Sequence, residues 1–117
     1  MTPSVLIVDD HATFRLTARL LLEFEGYEIL GEAEDGMTGL RKARELRPEL
    51  VLLDINLPDT DGFDVAARLS SDEDAPMIVL ISSRDPADFG PLIARSGARG
   101  FIPKEELSGE RLRALTG

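Results

Sequence analysis

The sequence predicts an α/β fold in which a doubly wound parallel sheet of five strands alternates with five helices. Two patterns support this fold class. Short runs that are apolar throughout recur along the chain, for example at residues 5–8, 50–53 and 77–81, as expected for strands buried on both faces of a parallel sheet. The segments between them repeat apolar residues at helical spacing, and such helices cover the two faces of the sheet.

The strands and helices can be assigned in order along the chain. Strands are predicted at residues 4–8, 28–33, 49–53, 76–81 and 99–102. Helices are predicted at residues 12–25, 36–46, 63–70 and 86–96, with a last helix of about two turns after residue 108. Gly26 favours an end to the first helix, and Asp35 and Ser108 are typical N-terminal caps.

Two of these helices carry more specific expectations. In the second helix we expect four apolar side chains to face the sheet, namely Met37, Leu40, Ala43 and Leu46. The fourth helix is interrupted by Gly90-Pro91, so it should be short, kinked or mobile.

Right-handed crossovers restrict the strand order, and we predict the flavodoxin-like (βα)5 order 2-1-3-4-5. In such sheets, sites form beside the carboxyl ends of the strands. Strands one, three, four and five are neighbours in this order, so the polar residues that follow them should meet in one crevice. These residues are Asp9, Asp10, Asp54, Ser82 and Lys104.

This set of side chains indicates phosphate chemistry assisted by a metal ion. Three carboxylates repel one another unless a cation joins them, and oxygen ligation suits Mg²⁺ when phosphate is also bound. A backbone carbonyl from residues 55–57 can complete the protein's share of the ligands. An aspartate can also act as a nucleophile that forms an aspartyl phosphate. A metal ion, Lys104 and Ser82 would then stabilise the phosphoryl oxygens.

The same residues resemble the receiver domain of two-component response regulators. The motifs are Asp9-Asp10, Asp54 followed by Leu57-Pro58 and Asp61-Gly62, then Ser82-Ser83 and Pro103-Lys104. They match the family in order and separation over essentially the whole chain. The start Asp9-Asp10-His11 resembles receivers that carry a helix-turn-helix output domain, and we expect one receiver domain over residues 1–117 with no output domain in this chain.

The resemblance implies a role for each matched residue. Asp54 would be the phosphorylated aspartate, and Lys104 the lysine that contacts the phosphoryl group. Asp10 would bind Mg²⁺ directly with Asp9 as its acidic partner, and Asn56 would offer its backbone carbonyl. Ser82 and Phe101 would form the hydroxyl and aromatic pair that switches on phosphorylation. The family more often has Thr and Tyr at these two positions, and Gly90-Pro91 breaks the helix that usually relays the signal.

The resemblance also implies partners. The phosphoryl group would come from the phosphohistidine of a sensor histidine kinase or a phosphotransfer protein. The domain would be a bacterial signalling switch rather than an enzyme, although it takes part in its own phosphorylation and dephosphorylation. Whether it forms a homodimer stays open.

Composition narrows the remaining classes. The formal net charge of −9 disfavours direct nucleic-acid contact. The apolar runs are too short to span a membrane, and the start lacks a secretory signal, so we expect a cytoplasmic protein. The chain has no cysteine, which excludes disulfides and thiolate metal sites.

Two alternative functions stay open at this point. One is a receiver-like binding module that works without phosphorylation, although such relatives usually lose an acid or the lysine. The other is a phosphohydrolase with an aspartyl nucleophile, although the second acid that such enzymes commonly carry is replaced here by Asn56. His11 is expected beside the site and not as a ligand, and Arg84 and Asn56 are candidates for tuning hydrolysis of the acyl phosphate.

Overall fold

The computed structural model describes residues 3–117, and within them one sheet is covered by helices on both faces. The strands, β1 to β5, span Ser4–Val8, Glu28–Ala33, Leu50–Asp54, Met77–Ser82 and Gly100–Pro103. The helices, α1 to α5, span Ala12–Phe24, Gly36–Leu46, Gly62–Ser70, Leu92–Arg95 and Gly109–Thr116. Short 3₁₀ turns lie at Pro86–Asp88 and Lys104–Glu106. In this part of the chain, no helix has the length and apolarity needed to cross a bilayer.

All strand pairs are parallel, and their order is β2-β1-β3-β4-β5. The predicted flavodoxin-like fold and strand order are therefore confirmed. Because the strands are parallel, their carboxyl ends meet at the same edge of the sheet. That edge carries the loops after β1, β3, β4 and β5.

The side chains of the strands alternate between two apolar cores. One core, formed with α2 and α3, contains Leu6, Val8, Val51, Leu53 and Leu80. The other core, formed with α1 and α5, contains Val5, Ile7, Leu50, Leu52 and Ile81. Burial on both faces explains why the strands are apolar throughout, as the sequence indicated.

The predicted N-terminal caps and the predicted end of α1 are found in the structure, but the predicted buried face of α2 is partly wrong. Asp35 accepts a hydrogen bond from the Thr38 backbone N–H at 2.7 Å and Ser108 accepts one from Arg111 N–H at 3.1 Å, while Gly26 has the left-handed φ of 95°. Met37 and Leu46, which were expected to face the sheet, are exposed.

The reason for the error lies in the helical geometry of α2. Its buried face consists of Gly36, Gly39, Leu40 and Ala43, which follow the spacing of 3.6 residues per turn. The expected set advanced by three residues at each step and therefore drifted around the helix. Two of the buried positions are glycines, and a search for apolar side chains does not identify a glycine as part of the buried face.

The connection between β4 and β5 contains little helix, as Gly90-Pro91 predicted. A 3₁₀ turn precedes the break, Gly90 adopts φ 55°, and α4 is only four residues long. Phe89 fills the space beside the break and is buried. Its ring centroid lies 5.6 Å from that of Phe63 and 5.9 Å from that of Phe101.

Candidate phosphoacceptor site

Strand alternation decides which face each polar residue joins. Asp9 continues the row of Val5 and Ile7, and Asp54 continues that of Leu50 and Leu52, so both point toward the α1 and α5 side. Ser82 continues the row of Leu80 and points toward the α2 and α3 side. The carboxylates and the hydroxyl thus reach the edge of the sheet from opposite faces.

Asp54 is buried in a negative environment. Only 1% of the residue is exposed. Its Oδ1 accepts a hydrogen bond from the Asn56 backbone N–H at 3.1 Å, and its Oδ2 accepts one from Lys104 Nζ at 3.2 Å. The pKa of the Asp54 carboxyl is raised to about 6, mainly by burial and also by the Asp9 carboxylate, while the Asn56 and Lys104 donors offset part of the shift. A strongly shifted carboxyl at the end of a central strand is typical of functional sites.

Lys104 joins two acids that lie on different strands. Its Nζ is 2.7 Å from Asp9 Oδ2 and 3.2 Å from Asp54 Oδ2. Burial alone would lower the pKa of the Lys104 ammonium, but the Asp9 and Asp54 carboxylates outweigh that effect and raise it. The ammonium also lies 4.8 Å from the centroid of the Phe14 ring, which adds a cation–π contact. Lys104 is therefore held as a cation.

The loop after β1 carries the other two acids and the histidine. Asp9 is fully buried, whereas Asp10 and His11 are exposed. The His11 backbone N–H donates to Asp9 Oδ1 at 2.8 Å, which closes a turn of the kind that aspartate favours. The His11 ring Nδ1 lies 3.1 Å from Asp10 Oδ1 and 3.2 Å from Asp9 Oδ1, so the ring lies beside the acids, where it was expected.

Ser82 and Phe101, which were expected from the sequence to form a switch pair, lie on β4 and β5. Ser82 is fully buried, and its Oγ accepts hydrogen bonds from the Arg84 backbone N–H at 3.0 Å and Asn56 Nδ2 at 3.4 Å. Phe101 is partly buried and pairs in register with Leu80. Its ring packs against Phe89, so the aromatic side chain contacts the broken segment before α4.

The loop after β3 is shaped by the Asp61-Gly62 motif. Asp61 caps α3 by accepting the Asp64 backbone N–H at 2.8 Å. The Gly62 N–H donates to the Ile55 carbonyl at 2.8 Å, and a Cβ at Gly62 would lie 2.5 Å from the Asp54 carbonyl oxygen. Only glycine therefore lets α3 begin this close to the backbone of Asp54.

The residues present fit a hard metal ion. Ligand atoms of Asp9, Asp10, His11 and Asp54 all lie within 4.8 Å of one another. Asp9 Oδ2 is buried without a hydrogen bond of normal geometry in the described residues, and its close contact is the ion pair with Lys104. A buried carboxylate oxygen requires a positive partner, and a metal ion could take over that role from Lys104. The oxygen-rich set suits Mg²⁺.

Comparison with known proteins identifies the family of the chain. The family model described as response regulator receiver domain matches residues 5–116. The chain therefore belongs to the response regulator receiver family, and it is a signalling domain of the two-component type.

Similar proteins are regulators of bacterial transcription. A Pseudomonas aeruginosa protein named as a transcriptional regulator is 44% identical over 110 residues, covering 94% of this chain and 53% of that protein. The Bordetella pertussis virulence-factor regulator named BvgA is 42% identical over 106 residues, covering 91% of this chain and 51% of its own length. The chain thus spans about half the length of the curated relatives it matches.

Among solved structures, the chain is similar to receiver domains. The signal receiver domain of the response regulator NarL from Mycobacterium tuberculosis has a TM-score of 0.88 and 31% identity, covering 99% of this chain and 98% of that one. A LuxR-family response regulator from Aurantimonas has a TM-score of 0.88 and 27% identity, covering 99% and 84%.

Two contacts at the site were not predicted from the sequence. Arg15 and Phe14 lie in the first turn of α1, and they contact the Asp9 carbonyl and the Lys104 ammonium respectively. The two side chains project to different sides of the helix, and nothing in their spacing indicates that both reach the strand ends.

Proposed function

We propose that the domain is a phosphoacceptor in which Asp54 takes a phosphoryl group from the phosphohistidine of a sensor histidine kinase or a phosphotransfer protein. The observation that carries this proposal is the buried Asp54 carboxylate, which lies at the end of a central strand between Lys104 and Asp9. Family membership supports the same role.

The proposed phosphoryl transfer is a single displacement at the phosphorus atom. An oxygen of the Asp54 carboxylate attacks the phosphorus atom, a P–O bond forms and the P–N bond of the phosphohistidine breaks. The bonding electron pair stays on the imidazole nitrogen, which takes up a proton, and Asp54 becomes an acyl phosphate. The Lys104 ammonium would neutralise the phosphoryl oxygens, which its contact with Asp54 supports, since electrostatic stabilisation dominates such reactions.

Asp9, Asp10, Asp54 and the Asn56 carbonyl would hold Mg²⁺, and the ion supplies charge neutralisation at the phosphoryl oxygens. The protein's own part is to fix the acids in place. Asp9 and Asp54 are buried on the same face of the sheet, and Asp10 is open to solvent at the mouth of the site. This leaves an approach for the donor on the side of Asp10.

Ser82 and Phe101 would convert the modification into a change of shape. The Ser82 hydroxyl now accepts hydrogen bonds from Arg84 and Asn56, and it would donate to a phosphoryl oxygen on Asp54. Movement of the Ser82 backbone would carry Arg84 with it, and Arg84 lies over the Phe89 ring at 5.4 Å. Phe89 contacts Phe101, so the change would reach the surface near β5 and the last two helices.

The proposal is tested with a small phosphodonor. The protein is incubated with acetyl phosphate and Mg²⁺, and its intact mass is measured. Wild type should gain one phosphoryl group, Asp54→Asn should gain none, and omission of Mg²⁺ should suppress the gain. Asp74→Asn removes an exposed acid far along the chain and should react like wild type. No gain in wild type, or a full gain in Asp54→Asn, would overturn the proposal.

A further inference from the structure

The Arg15 side chain reaches from α1 to the backbone of the acidic loop. Its Nη1 donates to the carbonyl oxygen of Asp9 at 2.7 Å. Its Nε donates to Glu32 Oε1 at 3.0 Å. Only 15% of the Arg15 side chain is exposed, so these contacts are shielded from water. An arginine fork that bridges two acceptors has little freedom to move.

Glu32 fixes Arg15 from the neighbouring strand. It lies in β2, in register with Ile7 of β1. Its second oxygen, Oε2, accepts a hydrogen bond from Arg19 Nε at 2.7 Å, and its backbone carbonyl accepts one from Lys42 Nζ at 2.6 Å. The carboxylate that holds Arg15 is therefore itself anchored to the sheet and to α1.

These contacts engage every polar atom of Asp9 except one carboxylate oxygen. The Asp9 backbone N–H donates to the Ala33 carbonyl at 3.0 Å, its carbonyl accepts from Arg15, and its Oδ1 accepts from the His11 N–H at 2.8 Å. The remaining atom is Oδ2, which is buried and faces Lys104. The direction in which this oxygen points depends on the backbone conformation of the loop after β1.

We propose that Arg15, held by Glu32, is a positioning residue that sets the geometry of the Asp9-Asp10 loop and thereby the Mg²⁺ affinity of the phosphoacceptor site. The proposal rests on the proposed function, because it concerns the metal used there. Partners that orient metal ligands from behind typically change affinity by about 10–100-fold when removed.

The sign of the effect separates positioning from simple electrostatics. Arg15 carries a positive charge near a cation site. If only its field mattered, its removal would tighten Mg²⁺ binding. If it holds the loop, its removal weakens binding, because Asp9 and Asp10 lose their fixed orientation.

Isothermal titration calorimetry of the full chain with MgCl₂ tests the proposal, together with amide NMR shifts of residues 9–12. Arg15→Met keeps the alkyl length and removes both hydrogen bonds, and we expect a Mg²⁺ dissociation constant raised about tenfold. Arg15→Lys retains a donor that reaches only one acceptor and should give an intermediate value. Arg41→Met is the matched control, since it also removes one positive charge and Arg41 forms an exposed ion pair with Glu45 at 3.9 Å, away from Glu32 and Asp9. It should bind within about twofold of wild type.

Unchanged or tighter binding by Arg15→Met overturns the positioning role, and so does an equal loss in Arg41→Met. If Arg15→Met fails to fold, Arg15→Lys and Glu32→Gln replace it, and wild-type affinity in both would overturn the role. A wild type that binds no Mg²⁺ contradicts the proposed function itself, whereas a wild type that binds normally confines any failure to Arg15.

Discussion

Lys104 Nζ lies closer to Asp9 Oδ2, at 2.7 Å, than to Asp54 Oδ2, at 3.2 Å. The cation that is proposed to serve the phosphoryl group is thus shared with a residue of the neighbouring strand. If Asp54 takes a phosphoryl group as proposed, the Lys104 ammonium would turn toward it, and Asp9 would need another positive partner. The ion pair between Asp9 and Lys104 would then couple phosphorylation of Asp54 to metal binding at Asp9.

Removal of this shared cation should destabilise the metal-free protein. In Lys104→Met, two buried carboxylates lose their counter-charge, and we expect the free energy of unfolding to fall by about 2–4 kcal/mol in EDTA. Urea denaturation followed by circular dichroism measures it. Lys42→Met removes one hydrogen bond to the Glu32 carbonyl and should cost only about 1 kcal/mol. Equal midpoints for Lys104→Met and wild type would contradict the expectation.

Replacement of the phosphoacceptor should have the opposite effect. The pKa of Asp54 is raised from 3.8 to about 6, so the folded protein binds this proton more tightly than the unfolded chain does. Ionisation of Asp54 therefore lowers stability as the pH rises from about 4 to about 6, and the full cost is present above that range. Asp54→Asn removes the cost and should gain about 1–3 kcal/mol at pH 7.5 in EDTA.

The gain should shrink at pH 4, where the wild-type carboxyl is protonated in the folded state. Asp10→Asn provides the comparison, because Asp10 is exposed, and it should change the free energy of unfolding by less than about 0.5 kcal/mol. A less stable Asp54→Asn at pH 7.5 would show that the ion pair with Lys104 outweighs burial and repulsion.

The contribution of Glu32 to the free energy of unfolding should depend on pH in the opposite sense to that of Asp54. Hydrogen bonds from Arg19 and, more weakly, from Arg15 lower the pKa of the Glu32 carboxyl below 4.5, against the effect of burial. Its contribution is therefore present above pH 4.5 and is lost as the pH falls below that value. Glu32→Gln should cost about 1 kcal/mol at pH 7 and almost nothing at pH 3.

Glu45→Gln is the control for this pH experiment, because Glu45 forms an exposed ion pair with Arg41 at 3.9 Å. Thermal or urea unfolding at both pH values measures the difference. A Glu32→Gln penalty that is equal at pH 3 and pH 7 would mean that shape and packing, not charge, are responsible.

Gly62 should prove intolerant of a side chain. A Cβ there would lie 2.5 Å from the Asp54 carbonyl oxygen and 2.8 Å from Ile55 Cα, and backbone cannot rotate away as a side chain does. We expect Gly62→Ala to cost about 1–3 kcal/mol and to weaken Mg²⁺ binding by displacing Asp54. Gly90→Ala introduces left-handed strain at φ 55° with no atom within 4 Å. It should cost about 1 kcal/mol and leave Mg²⁺ affinity unchanged, so equal metal affinity in the two variants would refute the displacement.

The sequence predicted the fold and the members of the site because both follow from local patterns. Apolar runs locate the strands, and parallel strands place Asp9, Asp54 and Ser82 at one edge. The contacts between those members depend on distances across the fold. The Arg15–Glu32 pair joins residues 17 positions apart, and neither residue type is unusual on the surface of its element.

The cap that Asp59 provides for α2 could not be predicted from the sequence for the same reason. The Asp59 carboxylate accepts the backbone N–H groups of Gly36 and Met37 at 2.8 and 3.0 Å, and these hydrogen bonds lower the pKa of Asp59. The loop after β3 therefore caps α2, together with the local cap Asp35 that the sequence indicated. Residues 23 positions apart share this interaction, which no periodicity reveals.

The four-residue α4 has a consequence for how the protein fluctuates. With so little helix after Gly90, the Phe89 ring supplies much of the apolar cover near Phe101. Local opening is cheapest where few buried apolar groups must be exposed. Amide hydrogens of residues 86–95 should therefore exchange with deuterated water faster than those of β1 and β3. The segment between β4 and β5 would then be the first part of the domain to open locally.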